Sequence, residues 1–368
     1  MIRIAMLGFW HLHGKDYAEA AEENPDTNIV AVWDSDEERG RGQADRFGAE
    51  FVGDLDQILA RSDVDAVVVT SETNRHREII IAAARAGKHI FTEKVIAATL
   101  EDAEAILAEV EASGVSFMVS MWRSDEAYAP TIKNLIDSGA VGRVTQVRVR
   151  DGHPFALPFG DSPGGILPEH FYDPATAQGG ALIDLCHPVY LICSFLGLPE
   201  SVSATFGYAT GRAVEDNAVV SFRYPGGAIG IAETGYVSAV TPFLIEVHGT
   251  EGSILFSLEG IGEMAARWRM PADYEGVSPS ALAPDGILKL RSTSPGSESR
   301  TWERVELPTA AQPKAFAKWI ANIQSGTTDP VNAELGRQLS AVIEAAYRSA
   351  DTESSVSLSS LSFTDQEI

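Results

Sequence analysis

The chain has very little cysteine. Cys186 and Cys193 are the only 2 among 368 residues. They lie seven apart in one apolar stretch, near one face of a helix and two turns apart, which is too far for a disulfide. No closely spaced cysteines of the zinc-binding kind occur. Both read as small buried residues in a reducing compartment. Positive charge is also scarce, with Lys+Arg at 28 against Asp+Glu at 52, a net charge of -24 and a pI near 4.6. So acidic a surface repels phosphate backbones and anionic lipid, so neither nucleic acid nor a membrane is an expected partner. No apolar run reaches the length of a membrane span. The sequence opens directly on a strand-like segment without the pattern of a signal peptide. The expected location is the cytoplasm.

The composition that remains is globular, at 45% hydrophobic and 22% charged. The length suggests two domains, each able to bury a core. Up to about Trp122, apolar strands alternate with helical patterns. Strands are expected at 2–7, 28–33, 66–70, 89–92 and 116–120, and helices at 15–23, 36–47, 55–61, 75–86 and 100–112. The run Val67-Val68-Val69 suits a strand buried on both faces. This alternation predicts right-handed βαβ units and a parallel sheet.

After a helix at 128–138 the pattern changes. Strands at 143–150, 201–208, 217–224, 228–236, 243–249 and 253–257 follow without regular helices between them. Pro225-Gly226-Gly227 and Thr250-Glu251-Gly252 are turn connections of an antiparallel meander. Helices return at 314–324 and 334–350, with a short strand at 356–358. The fold class is therefore α/β: a parallel-sheet domain over 1–122, then an α/β domain with a large, open, mostly antiparallel sheet over 123–358. A polar tail occupies 359–368. The segment 151–178 is a long connection without periodicity, and such segments often shape binding sites. His153, His170 and Tyr172 lie on it.

Gly8 ends the first strand where a dinucleotide fold needs a tight turn into a helix N-terminus. The rest of the usual G-x-G-x-x-G is missing, with Trp10 and His13 at the later glycine positions. An ordinary strand-to-helix turn would carry the same glycine. Asp34 ends the second strand, where a carboxylate accepts hydrogen bonds from ribose hydroxyls and repels a 2′-phosphate. With no arginine adjacent, this favours NAD over NADP. Asp36 suits the N-cap of the next helix. Lys94 follows a short strand at the carboxyl edge of the parallel sheet, where its ammonium can bind a substrate hydroxyl. Without the other motifs it would read as a surface lysine. Asp184 and His187, three apart, fall on one face if the segment is helical. An imidazole there can take a hydroxyl proton, although a capping Asp and a packed His are common. Pro188 predicts a kink or break at that point. His11 and His13 alone offer too few ligands for a metal, and no metal is expected. Trp268, Trp302 and Trp319 read as core or interface.

The run Ala86-Gly87-Lys88-His89-Ile90-Phe91-Thr92-Glu93-Lys94, with His76 in the preceding helix, looks like the AGKHV…EKP signature of the Gfo/Idh/MocA oxidoreductases. The run Gly179-Gly180-Ala181-Leu182-Ile183-Asp184-Leu185-Cys186-His187 is similar to that family's GGGALLDxGxH segment. The resemblance extends from Ile2 to about Leu358. It implies a Rossmann domain followed by a domain whose open sheet makes homodimers or homotetramers. It implies a catalytic set of Lys94, Asp184 and His187, and NAD contacts at Gly8, Phe9, Trp10, His11, Asp34, Ser71, Thr73, His76, Glu93, Lys94 and Arg123. Substrate contacts are expected from Lys94, Arg123, His153, His170, Tyr172, Asp184 and His187. Val95 stands where the family has proline, and Glu72 replaces another proline.

The expected activity is NAD-dependent oxidation of a secondary hydroxyl on a sugar, sugar acid or cyclitol. Two rival readings stay open. One is a glycoside hydrolase working by transient oxidation, elimination and re-reduction. The other is a non-catalytic dinucleotide or sugar sensor.

Overall fold

The computed structural model describes residues 1–158, 161–238, 243–258, 286–293, 301–308 and 312–361. Trp268 lies outside them. The chain divides into two compact units. The first comprises Met1–Met121, Ala175–Ala177 and Pro313–Ser340, and the second comprises the remainder.

The first unit is built on a six-stranded parallel sheet. Its strands are β1 (Ile2–Leu7), β2 (Thr27–Trp33), β3 (Glu50–Phe51), β4 (Ala66–Val69), β5 (His89–Thr92) and β6 (Phe117–Val119). Their order is β3-β2-β1-β4-β5-β6, and every pairing is parallel. This is the doubly wound arrangement, with the order reversing between β1 and β4. All four residues of β4 are buried, as the valine run predicts. Helix Glu37–Arg46 is capped by the Asp36 carboxylate, which accepts from the Arg39 N–H. The helix after β5 starts at Leu100 under a Thr99 cap.

The segment Pro313–Ser340 joins this unit for a packing reason. Phe316 and Trp319, on helix Ala315–Ser325, sit 5.5 and 5.6 Å from the Phe91 ring of β5, and Trp319 is fully buried. The next helix begins at Pro330, earlier than the expected 334. Proline suits a first helical turn, and the Asp329 carboxylate accepts from the Asn332 N–H.

The second unit carries a nine-stranded sheet. Its strands are β7 (Val144–Gly152), β8 (Ser201–Gly207), β9 (Asn217–Arg223), β10 (Ile229–Gly235), β11 (Leu244–Gly249), β12 (Gly252–Leu258), β13 (Gly286–Ser292), β14 (Glu303–Val305) and β15 (Val356–Ser357). Their order is β14-β13-β12-β11-β7-β10-β9-β8-β15. The sheet is antiparallel except where β7 lies parallel to β10. It is therefore not a simple meander, because β7 is inserted between β10 and β11. From Ala218 on, strand β9 alternates between buried and exposed residues, the mark of a sheet with one covered face.

Helix His187–Leu196 packs on β7 and β10, with Val189, Leu191 and Ile192 fully buried. No single helix among the described residues is long and apolar enough to cross a membrane. Cys186 and Cys193 are buried free thiols, and burial pushes Cys193 up to about 12.

Candidate active site

In the first unit the expected cofactor residues gather at the carboxyl ends of β1, β2, β4 and β5. This is the crevice where doubly wound sheets bind ligands. Gly8 has φ +96°, and a Cβ there would stand 2.8 Å from the backbone N and Cα of Ser71. The Gly8 N–H donates to Trp33 O at 2.7 Å, and Thr70 Oγ1 donates to Gly8 O at 2.5 Å. The turn after β1 is thus pressed against the turn after β4, which only glycine permits. A Gly8→Ala variant is expected to lose about 1–3 kcal/mol of stability through backbone strain, and to bind NAD more weakly. Thermal unfolding and an NAD titration check both.

Asp34 is buried and fully occupied. It accepts from Phe9 N at 2.7 Å and Asp36 N at 2.9 Å. Its two oxygens also hold Arg39, with Nε at 2.9 Å and Nη2 at 2.6 Å. This corrects the expectation that no arginine neighbours Asp34. The arginine arrives one helical turn into Glu37–Arg46, where adjacency in sequence does not reveal it. Beside this pair, Ser35 Oγ donates to Glu72, and the Arg75 guanidinium lies 4.9 Å over the Trp33 ring. Ser71 is buried, and Thr73 opens the 3₁₀ turn Thr73–Arg75.

His76 starts the helix His76–Arg85 and is buried. Burial pushes its imidazole down, and its Nδ1 sits 2.8 Å from Val95 O. It therefore ties the chain just past Lys94 to the start of helix His76–Arg85. The Lys94–Val95 peptide is cis. Lys94 and Glu93 are both buried, with Lys94 Nζ 3.4 Å from Glu93 Oε1. The Tyr17 hydroxyl donates to Glu93 and shares a hydrogen bond with Ser120 Oγ at 2.7 Å. Burial works against the Glu93 charge, but His11, Lys94 and His13 outweigh it and hold the carboxyl below its ordinary range. His11 is buried with Nε2 3.4 Å from Lys94 Nζ, and Trp10 is buried beside it. His11, His13 and Glu93 place one potential ligand atom each within 4.8 Å of one another. The spacing of His11 and His13 gave no sign of this third group, because Glu93 comes from the turn after β5.

In the second unit Asp184 and His187 do not share one helix, contrary to the expectation from their spacing. A short helix Ala181–Asp184 ends at Leu185, and a new one starts at His187 with Pro188 in its first turn. Proline cannot donate to the carbonyl four residues back, so the helix breaks where it was expected to. The segment before the break is held by Glu215. This carboxylate accepts from Gly180 N at 3.0 Å, Leu182 N at 2.9 Å and Tyr347 OH at 2.7 Å. Burial raises its pKa, and these donors oppose the rise. Cβ atoms on Gly179 and Gly180 would fall 2.0 and 2.1 Å from Tyr347 and Glu215, which explains the paired glycines.

Tyr236, at the end of β10, is the residue that sequence reasoning missed. Its hydroxyl donates to Asp184 Oδ2 at 2.9 Å. The His153 ring stacks on it at 5.1 Å, and Tyr172 meets it edge-on at 6.3 Å. Arg212 lies 3.9 Å over Tyr172. Asp184, His153 and Tyr172 thus share one aromatic cluster, whereas His170 packs on Phe171 at 5.1 Å. A tyrosine ending an alternating strand carries no signal beyond that of a core residue. The segment 151–178 is less irregular than expected, since Glu169–Tyr172 forms a 3₁₀ turn and Pro174–Ala177 a helical turn.

His187 is buried, with its ring 5.4 Å from Trp122 and 5.6 Å from Tyr190. Arg123 pairs with Asp151, Nε to Oδ2 at 3.0 Å. It also lies 4.3 Å over Trp122 and 3.9 Å over Phe243. Burial opposes its charge and Asp151 outweighs that, so its pKa is raised.

A glycine cradle at the β1/β4 reversal, with a carboxylate ending β2, defines a dinucleotide-binding α/β oxidoreductase. The family comparison agrees. The profile described as "Oxidoreductase family, NAD-binding Rossmann fold" matches residues 2–121, and "GFO/IDH/MocA C-terminal domain" matches 130–255. This chain belongs to the Gfo/Idh/MocA oxidoreductases, and its cofactor is NAD.

Among its relatives is scyllo-inositol 2-dehydrogenase (NAD(+)) of Bacillus subtilis (strain 168), 31% identical over 69% of this chain and 73% of that protein. Inositol 2-dehydrogenase of Rhizobium meliloti (strain 1021) is 29% identical over 69% of this chain and 74% of that one. A levoglucosan dehydrogenase solved with NADH and L-sorbose shares the fold, at TM-score 0.77 and 21% identity over 97% of this chain and 99% of that one.

Proposed function

We propose that this enzyme oxidises a secondary hydroxyl of a sugar, sugar acid or cyclitol. The observation that carries the reading is the buried Lys94 ammonium beside the Gly8 cradle of the first unit, in a chain of the Gfo/Idh/MocA family. Relatives named as inositol and levoglucosan dehydrogenases support the substrate class.

Bound NAD supplies the hydride acceptor. Gly8, Phe9, Trp10, His11, Asp34, Ser71, Thr73, His76 and Glu93 would hold it, with Asp34 tied to Arg39 at the end of β2. His187 acts as general base and takes the hydroxyl proton as the carbonyl forms. Lys94 donates a hydrogen bond to the same oxygen and stabilises the negative charge that builds there. Asp184, fixed by Tyr236, orients the substrate through a second hydroxyl. His153 and Tyr172 supply apolar ring surface and polar tips of the kind that sugar rings pack on. Arg123 is retained as a contact to cofactor or substrate. The exposed face of the nine-stranded sheet, which carries Val219 and Ile229, would pair copies of the chain as a homodimer or homotetramer.

A panel of inositols, aldoses, sugar acids and glycosides, followed at the nicotinamide absorbance with NAD and with NADP, tests the reading. The expected result is reduction of NAD by one of these polyol classes, with NADP a much poorer acceptor. If every polyol fails, the proposal falls.

A further inference from the structure

The cluster of His11, His13 and Glu93 has the donor atoms of a metal site, yet it already holds a cation. Lys94 Nζ is 3.4 Å from His11 Nε2 and 3.4 Å from Glu93 Oε1. A divalent ion in the same space would face an ammonium at contact distance, which is strongly repulsive in a buried site. The function of these residues is therefore to be sought in what they do to Lys94.

The hydrogen bonding of His11 fixes its tautomer. Its Nδ1 accepts the backbone N–H of His13 at 3.2 Å. A neutral imidazole has one N–H, and with Nδ1 accepting, that hydrogen is on Nε2. The nitrogen nearest Lys94 is thus a donor and presents a positive hydrogen to the ammonium. Glu93 does the opposite, since its carboxylate favours the ammonium. The other titratable groups around the cluster are already paired. His13 Nδ1 is 2.8 Å from Asp16 Oδ2, and Tyr17 is bonded to Glu93. Burial opposes a charge on His13, but Asp16 and Glu93 outweigh it and raise its pKa. Lys94 therefore sits between one group that holds its proton and one that loosens it.

We propose that His11 is a positioning residue that lowers the proton affinity of Lys94 and so makes its ammonium a stronger hydrogen-bond donor to the reacting oxygen. The inference rests on the catalytic assignment of Lys94 above. The principle is that a group whose proton affinity is lowered toward the operating pH gives its proton more readily to a developing alkoxide while still being protonated at the start of the reaction. His11 stands within the segment where the glycine fingerprint is degraded, so this tuning is a specific consequence of Gly8-Phe9-Trp10-His11-Leu12-His13 in this chain.

The test reads Lys94 directly. The chain has 7 lysines, so protein labelled with [ε-¹³C]lysine gives few resonances, and Lys94→Arg identifies the one from Lys94. The titration midpoint of that resonance is compared with the alkaline limb of the turnover profile. His11→Asn keeps an acceptor for the His13 N–H but has no atom at the Nε2 position. It is expected to move the midpoint up by roughly half a unit or more, and the alkaline limb should follow. Glu93→Gln is expected to move both downward. His11→Ala, with the same upward shift expected, replaces the Asn variant if thermal unfolding shows that one to be misfolded.

A midpoint that stays put or falls in the His11 variants overturns the proposal, whatever their activity. A midpoint that rises while the alkaline limb does not move supports the tuning and overturns the catalytic assignment of Lys94.

Discussion

Replacing Lys94 by alanine is expected to lower kcat/KM for the polyol by roughly 10²- to 10³-fold, the usual cost of removing one donor to a developing oxyanion. The NAD dissociation constant should change little. Lys94 lies just past β5 with its ammonium buried beside Glu93 and His11. Its contribution should therefore appear where negative charge develops on the substrate oxygen. Lys94→Arg should not restore the rate, because a planar guanidinium is larger and distributes its donors differently. Steady-state kinetics together with an NAD titration separate the two effects. A loss confined to NAD affinity would make Lys94 a cofactor-holding residue and no more.

His187→Ala is expected to cost about 10²- to 10⁴-fold in kcat, the range for losing a positioned general base. The acid limb of the pH–rate profile should vanish with it, because that limb reports the base that must be unprotonated. Substrate binding should survive, since Asp184 and Tyr236 remain hydrogen-bonded in the same unit. The burial of His187 against Trp122 and Tyr190 makes folding a fair control. A variant with an unchanged thermal midpoint and a flattened acid limb is the expected outcome. A variant that keeps the limb places the base elsewhere, with His153 the next candidate on the Tyr236 ring.

Much of this architecture was legible in the sequence for a simple reason. Strands buried on both faces must be continuous apolar runs, so Val67-Val68-Val69 and Ile2–Leu7 declared themselves, and the helix after β2 carried its own cap at Asp36. The strands of the second sheet alternate, so β9 and β10 were equally visible. Three strands were not expected: β3 has two residues and β14 three, too few for a period to register, and the seven-residue β13 was missed as well.

The site was legible only where chemistry was concentrated in a motif. Glu93-Lys94 and the Gly179–His187 run could be recognised, but their partners could not. Arg39 reaches Asp34 through a helical turn, and Glu215 reaches Gly180 from a separate strand–loop connection. Tyr236 reaches Asp184 from the end of β10. Each of these contacts is made by tertiary packing between residues whose own surroundings in sequence are ordinary. The same holds for the break at Leu185. Pro188 predicted it, but the i, i+3 spacing of Asp184 and His187 argued for one continuous helix, and the missing donor prevailed.

The central claim is that this chain moves a hydride from a polyol carbon to NAD with Lys94 and His187 as the working groups. A single-turnover experiment with a polyol deuterated at the reacting carbon tests it most directly. The enzyme is mixed with NAD, quenched on a timescale of one turnover, and the nicotinamide ring is analysed by mass spectrometry. The account predicts that the wild-type enzyme places deuterium on the nicotinamide, and that Lys94→Ala and His187→Ala both do so far more slowly while binding NAD normally. Label that never leaves the polyol, or transfer at the wild-type rate in both variants, would contradict it.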